Sequence, residues 1–123
     1  MAQWVDNILR TTGASKIDIV AHSMGGISSR YYLKVLGGGN KVDDYITLSS
    51  PHQLFLFGQL AVLRSGDPVP PGVTCTCVYS PIDLIVRAQY AQLPGCNNVQ
   101  VTTTHIGMLS NTEVYNIVKT RLN

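Results

Sequence analysis

No stretch of this chain approaches the run of about 18 apolar residues that a membrane-spanning helix needs. Its start, Met-Ala-Gln-Trp-Val, lacks the basic and then apolar layout of a secretory leader, so the segment is expected to be soluble as it stands. Charge is scarce as well: 13% of 123 residues, nine Lys and Arg against seven Asp and Glu, a net +2 scattered along the chain. Nucleic-acid binding needs a basic face, and none is written here. Cysteine is limited to Cys75, Cys77 and Cys96, an odd count that permits at most one internal bridge. Cys75 and Cys77 lie two apart on an expected strand and aim at one face, which disfavours a bridge between them. Either can reach Cys96, and three buried free thiols are the alternative. Cys-x-Cys with one distant Cys is not a zinc pattern, and the three histidines have no ligand-like spacing, so no metal and no cofactor are expected. Internal repeats and low-complexity tracts are absent too.

What remains suits one domain over residues 1–123, long enough to bury about two-thirds of its unfolded surface. Residues 2–12 place Trp4, Val5, Ile8 and Leu9 at helical spacing and stop before Gly13. A β-branched strand is expected over 16–21 and a helix over 24–36, closed by Gly37, Gly38 and Gly39. Strands follow over 42–48, 73–79 and 99–103, with a loosely helical stretch at 53–64, a Pro- and Gly-rich loop at 65–72 and a closing helix at 112–122. This alternation predicts an α/β fold: a mainly parallel sheet of about four strands, covered by helices on both faces.

The stretch Ile17-Asp18-Ile19-Val20-Ala21-His22-Ser23-Met24-Gly25-Gly26 carries the most chemical information. A buried strand ends in a serine and turns directly into a helix, the layout that exposes a nucleophile at the tip of a tight elbow. Such a turn needs small residues near the serine, which Ala21 and Gly25 supply; Ala21 departs from the more usual Gly. A serine hydroxyl becomes a strong nucleophile only when an imidazole takes its proton and a carboxylate orients that imidazole. Ser23 follows the first strand, Asp83 the third and His105 the fourth. In a parallel sheet these positions share the carboxyl rim, where ligands bind. Asp43 and Asp44 precede a strand and so face the opposite rim, and Asp67 lies in the Pro-rich loop. His22 adjoins the elbow without facing the pocket, and His52 lies in a loop after the second strand. Helix capping by Ser23 and turn formation by Asp83 in Ser80-Pro81-Ile82-Asp83 are the plain structural alternatives.

Val20-Ala21-His22-Ser23-Met24-Gly25-Gly26, Tyr31-Tyr32-Leu33-Lys34, Gly38-Gly39-Asn40-Lys41-Val42, Tyr79-Ser80-Pro81-Ile82-Asp83-Leu84-Ile85-Val86, Asn98-Val99-Gln100-Val101 and His105-Ile106-Gly107-Met108-Leu109 resemble the blocks of the small class 2 lipases of bacilli and actinomycetes. These lipases belong to the α/β-hydrolase superfamily. The resemblance runs the whole length and implies a truncated α/β-hydrolase fold, its C-terminal two-thirds. It implies a serine ester hydrolase, lipase or esterase, with Ser23 as nucleophile, Asp83 as acid, His105 as base and the Met24 amide as one oxyanion donor. It also implies lipid or small-ester substrates and a secreted origin.

Relatives of this type begin with a strand and a His-Gly-type loop that supplies a second oxyanion amide, and the resemblance implies that the chain starts after both. Losing one such donor costs other hydrolases about a hundred- to a thousandfold in turnover. The strand at 17–20 would then be an apolar edge that invites pairing, so a homodimer or domain-swapped assembly is expected. A non-catalytic remnant that self-associates and binds apolar ligands is the alternative reading. Pro51-His52 leads into Gln53-Leu54-Phe55-Leu56-Phe57, where relatives carry Gly-Thr. Leu54, Phe55, Ile82 and Ile106 are expected to line the acyl side of the site.

Overall fold

The structure, a computed structural model, describes residues 1–53 and 61–122. Four parallel strands, β1 (Ile17–His22), β2 (Val42–Leu48), β3 (Thr74–Tyr79) and β4 (Asn97–Gln100), lie in the sheet in chain order. Each crossover carries helix or turn: α2 (Met24–Val35) between β1 and β2, α3 (Ala61–Arg64) between β2 and β3, and α4 (Ala88–Ala91) between β3 and β4. Helix α1 (Ala2–Thr12) precedes the sheet and α5 (Thr112–Arg121) follows it. The register aligns His22 with Leu48, Leu48 with Val78 and Val78 with Val99, so the strand ends form one rim.

From Tyr45 onward alternation along β2 builds two cores, because successive side chains leave a strand on opposite faces, and a register shift between Val42 and Tyr45 brings Val42 to the Tyr45 face. Tyr45 and Val42 pack with Leu33 of α2, Val69, Cys75, Cys77 and Leu93. Ile46 and Leu48 pack on the other face with Val78, Val101, Met108 and Val114 of α5. Helices on both faces explain why β2 and β3 read as nearly unbroken buried runs. The Cys75–Cys96 bridge closes a loop with a separation of 21 residues, while Cys77 stays a buried thiol. A bridge across a loop of that size restricts the unfolded chain by about 3 kcal/mol.

Two expectations need correction. The close approach beside the elbow is at Gly26 rather than Gly25. A Cβ on Gly26 would meet Ser50 Oγ at 2.0 Å, whereas one on Gly25 would sit 3.8 Å from the Ala21 Cβ, an ordinary contact. The fourth strand runs over Asn97–Gln100 instead of 99–103. Its ladder ends when Val101 N–H donates to Tyr79 O and Thr103 N–H turns to the Ser80 hydroxyl, which draws the chain out of the sheet. Helix α1 falls where the periodicity places it, over Ala2–Thr12 before Gly13, with Val5 buried and Trp4 72% and Ile8 48% exposed. Helical periodicity locates an apolar stripe but not how much of it meets a partner. Of the helical stretch expected at 53–64, α3 is described and residues 54–60 lie outside the described residues.

Arg30 of α2 is almost wholly buried and donates to the carbonyls of Leu63 and, at 2.8 Å, Pro68. Burial lowers its pKa. Lys34, one turn on, donates to Leu63 O and Ser65 O, so two cations on one helix face cap the carbonyls of the loop before β3.

Candidate active site

Ser23 stands between the last residue of β1 and the first of α2, with φ 55 and ψ −128. A non-glycine residue at positive φ costs about 1–3 kcal/mol and persists only where its surroundings hold it. Here Ser23 N–H donates to Leu48 O at 3.0 Å and Ser23 O accepts from Gly26 N–H at 3.0 Å. The strained elbow therefore rests on the neighbouring strand and on its own helix. Met24 opens α2, so its amide has no helical carbonyl to serve and points from the helix N-terminus.

Asp83 is set by the turn after β3. Its N–H donates to Ser80 O at 3.2 Å, and its Oδ1 accepts from the amides of Ile85 at 2.9 Å and Val86 at 2.8 Å. Its Oδ2 accepts from His105 Nδ1 at 2.9 Å. Burial on its own pushes the Asp83 pKa up, but hydrogen bonds from His105, Val86 and Ile85, helped by the Ser49 hydroxyl facing it, together hold it below the usual carboxylate value. The group is an anion at neutral pH.

His105 lies in the loop after β4, 8% exposed. With its Nδ1–H committed to Asp83, Nε2 is left to accept, and Ser23 Oγ lies 3.1 Å from it. The structure thus brings Ser23, His105 and Asp83 into one connected chain at the carboxyl rim.

Other expected site residues fall out unevenly. Ile82 and Ile106 are 48% and 70% exposed on the loops that carry Asp83 and His105, and Leu54 and Phe55 lie outside the described residues. His22, expected to adjoin the elbow without facing the pocket, lies against the His105 loop: its Nε2 is 2.9 Å from the His105 carbonyl, with the two rings 4.6 Å apart. Ser80 was legible only as part of a turn, yet its Oγ accepts from Ile82 N–H and Thr103 N–H and joins the Asp83 turn to the His105 loop. His52 is buried behind the rim with Nε2 3.0 Å from Thr47 Oγ1. Burial, with Arg30 adding to it, pushes its pKa down to about 3, so the ring is neutral.

Two further groups place ligating atoms within 4.8 Å of one another, Cys75/Cys77/Cys96 and Asp18/Asp43/Asp44. The first is largely committed to its disulfide. The second sits at the opposite rim, where burial and its two acidic neighbours raise the Asp44 pKa.

With this geometry in view, comparison with known proteins is informative. Residues 3–58 match the family of PGAP1-like alpha/beta domains. A Listeria innocua gene product of known structure superposes with a TM-score of 0.70 at 15% identity, covering 97% of this chain and 62% of that one. The mature form of the Bacillus licheniformis lipase BlEst2 superposes with a TM-score of 0.73 at 16% identity, covering 97% of this chain and 70% of the lipase. An alpha/beta hydrolase from a lagoon-sediment metagenome of Mar Chica, Morocco, gives 0.66 at 12% identity, over 97% and 66%. The chain shares the α/β fold of these structures, a four-stranded parallel sheet flanked by helices that is consistent with a truncated α/β-hydrolase fold. It spans less than two-thirds of the Listeria protein.

Proposed function

We propose that this protein is a serine carboxylic-ester hydrolase of the small class 2 lipase type. One observation carries the reading: Ser23 Oγ, His105 and Asp83 are joined by contacts of 3.1 and 2.9 Å on a strained strand-to-helix turn. Ser23 Oγ attacks the ester carbonyl while His105 Nε2 takes its proton, and the negative oxygen of the tetrahedral intermediate turns to the Met24 amide. Collapse expels the alcohol, which recovers the proton from His105. Water, activated by the same imidazole, then releases the acid and restores Ser23. Asp83 holds the His105 tautomer and stabilises the imidazolium.

An apolar acyl chain fits the surroundings. Met24 at the start of α2, Ile82, Leu84 and Ile85 after β3, and Ile106 and Leu109 after β4 are all exposed, apolar side chains of the type that receive lipid-like groups. The Cys75–Cys96 bridge fits an oxidising, extracellular setting. Hydrolysis of p-nitrophenyl butyrate, together with intact mass after fluorophosphonate treatment, tests the reading. Turnover and one added label, both lost in Ser23→Ala, are expected; an unlabelled wild-type chain overturns it.

One observation favours a second reading, a non-catalytic module that self-associates and holds apolar ligands. Among the described residues β1 pairs only with β2, leaving its outer edge open with Val20 43% exposed. Beside it a groove of about 400 Å³ is lined by Val20, Leu48, Met108, Leu109 and Val118. Open apolar strand edges pair with other chains. Sedimentation velocity at micromolar concentration separates the two readings: a dimer abolished by Val20→Lys, without turnover, favours the second.

A further inference from the structure

The loop that carries His105 leaves the sheet at Val101 and has few anchors. Thr103 N–H donates to Ser80 Oγ at 3.0 Å, tying the loop to the turn after β3. The other side of the loop faces β1, and the contact there is made by His22, the residue immediately before Ser23. Its Nε2 lies 2.9 Å from the His105 carbonyl oxygen. A carbonyl oxygen only accepts, so this Nε2 carries a proton and donates it, which fixes the orientation of the His22 ring. The two imidazoles lie 4.6 Å apart and tilted by 42°, close enough to pack without competing for Ser23. His105 is therefore held from three directions: Asp83 grips Nδ1, Ser23 meets Nε2, and His22 grips its backbone.

We infer that His22 is a positioning residue, setting the separation of the Ser23 hydroxyl and the His105 imidazole by tying the histidine's backbone to the strand that bears the serine. The inference rests on the serine-hydrolase reading. It gives a role to the polar ring that stands, half-buried, at the carboxyl end of β1. Proton transfer is steep in donor–acceptor distance, so a loop freed from β1 lowers the rate of acylation more than it alters substrate binding.

Two variants separate the hydrogen bond from the ring. His22→Phe keeps the packing and removes the donor, whereas His22→Gln places an amide N–H near the same position. Steady-state kinetics on p-nitrophenyl butyrate should show kcat about five- to tenfold lower for His22→Phe, with KM nearly unchanged, the size expected for one lost hydrogen bond. His22→Gln should recover kcat to within about threefold. A second readout needs no turnover: the proton NMR resonance of the His105 Nδ1–H bonded to Asp83 should persist in wild type and His22→Gln and broaden in His22→Phe. Circular dichroism should show all three chains folded. Unchanged kcat and an unchanged resonance in His22→Phe overturn the inference, as does a His22→Gln chain as impaired as His22→Phe. If wild type takes up no fluorophosphonate, the hydrolase reading fails separately, and the resonance alone decides whether His22 positions His105.

Discussion

Two strand ends on this rim begin alike and finish differently. After β2 comes Ser49-Ser50-Pro51-His52, and after β3 comes Ser80-Pro81-Ile82-Asp83, each placing buried polar groups behind the sheet. In the second, the side-chain oxygens are all used: Ser80 Oγ takes two amides and Asp83 takes two amides and an imidazole. In the first, Ser50 Oγ and His52 Nδ1 are buried with no hydrogen-bond partner among the described residues, and Ser49 Oγ faces Asp83 without meeting hydrogen-bond geometry. Buried polar groups are normally paired, and each unpaired one costs about 1–3 kcal/mol. The pair of turns shows where the fold concentrates rigidity. The turn that aims the carboxylate is fully connected, while the turn between them and the elbow carries a polar deficit. Its Ser49, at φ 51, shares the strained backbone of Ser23.

Breaking the connected turn at its centre should have the largest consequence. Asp83→Asn keeps an acceptor for the amides of Ile85 and Val86, so the turn should survive, but it no longer enforces the His105 tautomer. Turnover of p-nitrophenyl butyrate should fall by about three to four orders of magnitude with the circular dichroism unchanged. A fall of less than tenfold would detach Asp83 from the chemistry.

The next largest effect belongs to the deficient turn and appears as a dependence on pH. His52 has a folded pKa of about 3, below the about 6.5 of an unfolded histidine, so between those values the unfolded chain binds a proton that the folded chain refuses. Stability is then intact above about pH 6.5 and is lost as pH falls, at about 1.4 kcal/mol per unit, or about 2 kcal/mol between pH 7 and pH 5. Asp83 titrates in a different window. Its depressed pKa contributes stability that is present above about 3.9 and lost only as pH falls through the folded value. Urea unfolding of wild type and His52→Leu from pH 7 to pH 5 should therefore show a shallower acid slope in the variant. Its stability at pH 7 should drop by about 1 kcal/mol, because Thr47 Oγ1 loses its partner. Parallel slopes would mean that His52 is protonated without cost.

How much of this was legible in the sequence follows from the range of the interactions. Strand-and-helix alternation is a local signal, and it gave the parallel sheet and the rim that collects Ser23, Asp83 and His105, while the order of the strands came only with the structure. The elbow was legible because Ser23 interrupts an apolar strand at the start of a helix. Contacts across the sheet were not. That Gly26 rather than Gly25 is the tight position depends on Ser50, a residue of the next strand end. That His22 grips the His105 carbonyl depends on a separation of 83 residues, and nothing in the local pattern around either histidine announces it. The choice of Cys75 over Cys77 for the bridge was left open because both point to one face, and spacing cannot rank two residues on one face.

The sharpest form of the comparison uses the serines of the two turns, which are chemically identical and both buried. Ser80→Ala removes the acceptor that joins Ile82 N–H to Thr103 N–H, leaving two amides unpaired where the Asp83 turn meets the His105 loop. Its cost should be about 1–3 kcal/mol in urea unfolding. Ser50→Ala removes a hydroxyl that has no partner among the described residues and so removes a desolvation cost without breaking a described bond. It should be neutral or stabilising by up to about 1 kcal/mol. The same oxygen is the atom that a Cβ on Gly26 would meet at 2.0 Å, so its removal eases the close approach of α2 to the end of β2. A Ser50→Ala chain as destabilised as Ser80→Ala would show that Ser50 has a partner in solution, an ordered water between α2 and β2, and that both strand ends are equally well satisfied.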